Sequence, residues 1–108
     1  MTPFALMDEE ERLAFGGLLR LMVRMDGEFS KEEVVALTSL GTELGADIWG
    51  LLNESALLER AELVEMLDEL RPELRRWVYG TVQRIAEADG IDESEHELLD
   101  WLRLRWNL

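Results

Sequence analysis

The chain has 108 residues, 24 of them acidic and 11 basic, for a formal net charge of −13, with 47% hydrophobic content and no cysteine. That balance repels nucleic-acid phosphates and anionic membrane surfaces, and the missing thiols exclude a disulfide framework, a thiol nucleophile and a thiolate metal site. The apolar fraction suffices for a core, no apolar run approaches the roughly 20 residues of a membrane span, and the start, MTPFALMDEEER, lacks the basic and apolar regions of a signal peptide.

We therefore expect one cytoplasmic domain over residues 1–108. Within it the spacing of apolar residues predicts six helices and no alternating strand pattern. The first starts at Asp8, with Glu11 three residues on as its reciprocal capping partner. It presents Leu13, Leu18, Leu19, Met22, Val23 and Met25 on a wide apolar face. Gly16-Gly17 inside it costs about 1 kcal/mol per glycine relative to alanine. That cost implies close approach of a neighbouring helix or, as the alternative, a small-residue contact with a second copy of the chain.

The helix closes at Asp26-Gly27, and Ser30 with Glu33 forms the reciprocal cap of the next. This second helix, Lys31 to Leu44, carries Val34, Leu37, Leu40, Gly41 and Leu44 at helical spacing and ends at Gly45. Asp47 caps a short third helix, Ile48 to Ser55, with Trp49, Leu51 and Leu52 turned inward. A fourth is predicted from Leu57 to Leu70, with Leu57 and Leu58 on its apolar face. Pro72 suits the first turn of a fifth, running to about Ala88 and burying Leu74, Trp77, Val78, Val82 and Ile85. After Asp89-Gly90, Asp92 and Glu95 cap a sixth, Glu93 to about Trp106, which buries Leu98, Leu99, Trp101 and Leu102, with Trp106 a further candidate for burial.

The two Asp-Gly turns are an approximate repeat. Each follows an apolar helix, holds one apolar plug (Phe29, then Ile91) and precedes a reciprocal cap, the second copy being one residue shorter. The expected fold is an all-α compact bundle of about six helices. It is built from two pseudo-repeated helical hairpins with Asp-Gly turns, and the third and fourth helices bridge them.

The residues offer little to catalysis. There is one His, one Tyr and no Cys; His96, in Glu95-His96-Glu97, reads as solvated, and no phosphate-cradling glycine loop is present. The chain is read as non-enzymatic. The acidic turns suit Ca²⁺, Mg²⁺ or Mn²⁺, which favour hard oxygen ligands. An EF-hand is excluded, because Met22 and Arg24, then Ile85 and Glu87, stand where its first carboxylates belong. The competing explanation is that Asp and Glu complement helix N-termini. Near the other end, Trp106 and Leu108 are expected to be exposed and to form a partner-contact patch.

At RMDGEFSKEE (Arg24 to Glu33) and EADGIDESE (Glu87 to Glu95) the chain resembles the TerB-like family, associated with bacterial tellurite resistance and with domains fused to co-chaperones. The resemblance implies an all-helical fold, an acidic surface that binds metal ions, and a role in stress-linked assemblies through protein partners. The matching positions are Asp26, Glu33, Asp89 and Glu95. The chain is shorter than tellurite-resistance members are expected to be. The functional expectation is an acidic helical interaction module with weak divalent-cation binding and a protein partner, and with neither nucleic acid nor membrane. The alternatives are a purely structural adaptor or homo-dimerising subunit without metal, and an acidic decoy that mimics nucleic acid.

Overall fold

The computed structural model describes residues 2–23, 30–90 and 93–108, and of Val23 and Asp89 the backbone only. The described residues form six α-helices and no strand: α1 (Glu9–Val23), α2 (Lys31–Leu44), α3 (Ile48–Ser55), α4 (Arg60–Glu69), α5 (Pro72–Ala86) and α6 (Glu93–Arg105). The all-α bundle of about six helices is the one predicted. Gly27, Phe29, Ile91 and Asp92 lie outside the described residues.

The helix starts follow from local chemistry. The Asp8 amide donates to Glu11 Oε1 at 3.0 Å, and the Glu11 amide to Asp8 Oδ1 at 2.8 Å. Ser30 and Glu33 make the same exchange at 2.9 and 3.0 Å. Asp47 accepts from the Gly50 amide at 3.0 Å, and Pro72 occupies the first turn of α5. The side-chain caps satisfy amides that the first helical turn leaves without partners, and Pro72 has no N–H to satisfy. At the end of α2, Gly45 (φ 64°, ψ 35°) takes the left-handed conformation, and the Ala46 amide reaches back to the Gly41 carbonyl at 3.0 Å.

Three boundaries depart from the sequence reading. Leu57 and Leu58 precede α4 instead of opening it. Ser55 Oγ donates to the Leu52 carbonyl at 2.9 Å, and the amides of Leu57 and Leu58 tighten onto Glu54 and Ser55. Glu59 then takes extended backbone (φ −76°, ψ 155°) before α4 begins, which leaves Leu57 87% exposed. The fifth helix stops at Ala86 and tightens into a 3₁₀ turn, Glu87–Asp89. Gly90 follows with φ 90° and ψ 140°, backbone that glycine adopts without a Cβ clash. An N-terminal 3₁₀ turn, Pro3–Leu6, adds Phe4 to the core, as does Met7 after it.

The central element is α1, which packs against α3, α4 and α5 and buries Ala14, Phe15, Leu18, Leu19 and Met22. Its glycine pair is explained by the chain's own helices. A Cβ on Gly16 would meet Leu51 Cγ of α3 at 2.8 Å, and one on Gly17 would meet Leu63 Cδ1 of α4 at 2.7 Å. Helix α5 packs on α6, while α2 packs on α3, on α5 and on the Glu87–Asp89 turn. The second turn thus lies against the helix that the first turn launches. Val34 faces outward, 39% exposed, because the helix turns Glu33, Leu37, Leu40 and Gly41 inward.

Candidate docking and cation sites

Of the four residues expected around a cation, Asp26 and the Asp89 side chain fall outside the described parts of the chain. The other two are buried carboxylates on first helical turns. Glu33, 2% exposed, accepts from the Ser30 amide, so its burial is offset by helix N–H groups. Glu95 occupies the first turn of α6 and is also buried. Among the described residues, no three His, Asp or Glu side chains stand close enough together to hold an ion.

The expected C-terminal patch is corrected at one of its two members. Trp106 is 5% exposed, and its Nε1–H donates to the Leu67 carbonyl of α4 at 3.0 Å. The reason lies in how α6 ends. Asn107 takes a positive φ of 56°, the Leu108 amide donates to the Arg103 carbonyl at 2.9 Å, and the Asn107 amide to Leu104 at 3.3 Å. This closure folds the last residues back on the helix and leaves the Trp106 indole against α4. Leu108 stays partly open, and Leu104, not singled out in the sequence, is 70% exposed.

A more developed surface lies along α4. Gly17 lets Leu63 sit against α1, and beside that contact runs an open apolar groove. One part, of about 460 Å³, is bordered by Gly17, Leu21, Ala56, Leu58 and Leu63, with Arg20 and Arg60 beside them. The second, of about 500 Å³, shares Leu21, Arg60 and Leu63 and continues over Val64 and Leu67 to Leu98 and Trp101 of α6. Leu57 stands on the connection that forms one lip, between Ala56 and Leu58.

Three arginines, Arg20, Arg60 and Arg105, border the groove although the chain is strongly acidic. Arg105, at the α6 end, is bound to Asp68, with Nη2 2.6 Å from Oδ2, and lies over the Trp101 ring at 5.1 Å from its centroid. That hydrogen bond, ahead of any other influence, holds the Asp68 carboxyl below its usual range. Arg20 and Arg60 form no ion pair with any carboxylate among the described residues. Arg60 is the first residue of α4, where the helix dipole disfavours a positive charge. In the sequence the only hint of this surface was that misplaced arginine behind Leu57-Leu58. A period count assigns those leucines to a helix face.

Neither known family models, nor curated proteins, nor solved structures give a match to this chain.

Proposed function

We propose that the chain is a non-enzymatic, acidic helical interaction module, TerB-like in kind, whose groove between α1, α4 and α6 receives a protein partner. The observation that carries this reading is the continuous apolar floor from Leu58 to Trp101, open to solvent beside an 87%-exposed Leu57. Exposed apolar surface with a polar rim is the usual mark of a contact site. The test is photo-crosslinking in the native host, with a photoreactive side chain in place of Val64 or, as comparison, Ser39 on the outer face of α2. A product joining the chain to another protein at position 64 and not at 39 supports the reading. The absence of any protein product counts against it. A product made only of this chain would favour the homo-dimer.

A second reading adds weak binding of Ca²⁺, Mg²⁺ or Mn²⁺ at the acidic helix starts. It is favoured by the burial of Glu33 and Glu95 at equivalent first-turn positions of α2 and α6. Calorimetric titration with each ion tests it. Saturable heat that Glu33→Gln reduces supports it, and no heat at millimolar ion removes it.

A further inference from the structure

The groove's rim selects among the partners its floor would accept. An apolar floor alone would take any amphipathic helix. On a chain of net charge −13, the surrounding field would favour a basic one. At the Arg60 end of this groove the lining charges are positive, whereas Arg105 at the other end is paired with Asp68. Arg20 and Arg60 border one part, and Arg60 and Arg105 border the other. The first two have no carboxylate partner among the described residues. Glu97 is the one acidic side chain lining either part. From Arg60 to Leu67 the floor follows α4 for about 10 Å, two turns of a helix laid beside it.

Resting on the interaction-module reading above, we propose that the partner segment is an amphipathic helix whose apolar stripe is flanked by acidic side chains. Its apolar residues, at i, i+3 or i+4 and i+7, cover Leu21, Leu63, Val64 and Leu98, and its carboxylates meet Arg20 and Arg60. The placement of Arg60 accords with this. At the first position of α4 an acidic residue would serve the helix better, and the arginine stands there against the dipole. A guanidinium suits this task, since it takes a carboxylate in bidentate fashion and lies flat on apolar surface.

The test uses two fluorescein-labelled synthetic peptides of about 18 residues, long enough to hold a helix. They share a leucine stripe; one carries Glu on both flanks, the other Lys. Titrated at near-physiological salt, where distant charges are screened, the Glu-flanked peptide should bind saturably with a micromolar dissociation constant. Arg60→Glu should weaken it about tenfold or more and strengthen the Lys-flanked peptide. This variant places an acid where α4 prefers one, so its melting temperature should be equal or higher, and loss of binding is then not unfolding. Val64→Asp, in the floor, should weaken both peptides. Equal binding of the Glu-flanked peptide by wild type and Arg60→Glu overturns the proposal, as does binding of neither peptide. Binding of phosphatidylglycerol vesicles in place of the Glu-flanked peptide also overturns it. A protein crosslink at position 64 without this charge preference would leave the module reading intact and reject only the acidic-helix partner. No crosslink at any position would reject both.

Discussion

Arg71, just ahead of α5, grips Glu11, in the first turn of α1, across 60 positions of sequence: Nε lies 2.9 Å from Oε2 and Nη2 2.8 Å from Oε1. The same Nη2 donates to the Leu6 carbonyl at 2.6 Å, so one guanidinium ties the N-terminal turn, α1 and α5 together. The Arg71 hydrogen bond is the main cause that draws the Glu11 carboxyl from 4.5 down to about 2, against the opposing effect of burial.

A carboxyl whose folded pKa lies below its unfolded one stabilises the fold fully above the unfolded value. That contribution is lost as pH falls through the folded value. The Glu11 contribution should therefore be complete at neutral pH and disappear between pH 4.5 and about 2. We expect Arg71→Gln to lower stability at pH 7, since the Glu11 carboxylate then loses the guanidinium that holds it. It should also flatten the pH dependence inside that window. Urea unfolding of both proteins across the acidic range measures this.

The glycines of α1 and α5 should respond oppositely to alanine. Gly80 is exposed, and a Cβ there meets nothing within 4 Å, so Gly80→Ala should stabilise by up to about 1 kcal/mol through helix propensity. At Gly16 the new methyl would stand 2.8 Å from Leu51 Cγ and 3.3 Å from the Leu51 carbonyl oxygen. The overpacking there should outweigh the propensity gain and destabilise by about 1 kcal/mol net. Thermal melts of the two variants test the contrast.

Trp106 fastens the last turn of α6 to α4, so we expect it to act on stability. Trp106→Ala should cost roughly 3 kcal/mol, from the lost burial of a large side chain. Trp106→Phe should cost about 1 kcal/mol, leaving the Leu67 carbonyl without the indole donor. Leu104→Ser, at an exposed position, should stay within about 0.5 kcal/mol of wild type. Denaturant midpoints separate the three.

What the sequence made legible was local. The reciprocal caps at Asp8 and Ser30, the Asp47 cap, the Gly45 closure and the Pro72 start each involve residues within a few positions of each other. Their chemistry is therefore written in adjacent letters. The Gly16-Gly17 pair pointed outward to a close neighbour, and Leu51 and Leu63 are that neighbour. What stayed hidden was set by contacts distant in sequence. Trp106 meets Leu67 and Arg71 meets Glu11 only once the bundle has formed. Leu57 and Leu58 have helical spacing, but the Ser55 hydroxyl and the extended Glu59 interrupt the helix ahead of α4. The two-part groove needs α1, α4 and α6 side by side, and no run of residues announces it. For the acidic turns, Glu33 was readable as a capping residue from Ser30 three positions before it.

The central claim is that the groove along α4 receives a partner helix beside Arg20 and Arg60. The most direct measurement is methyl and amide NMR of the labelled protein titrated with the Glu-flanked peptide. The account predicts shifts confined to Arg20, Leu21, Leu58, Arg60, Val64, Leu98 and Trp101. Shifts centred instead on Val35 of α2 or on Leu104 and Leu108, or none at all up to millimolar peptide, would contradict it.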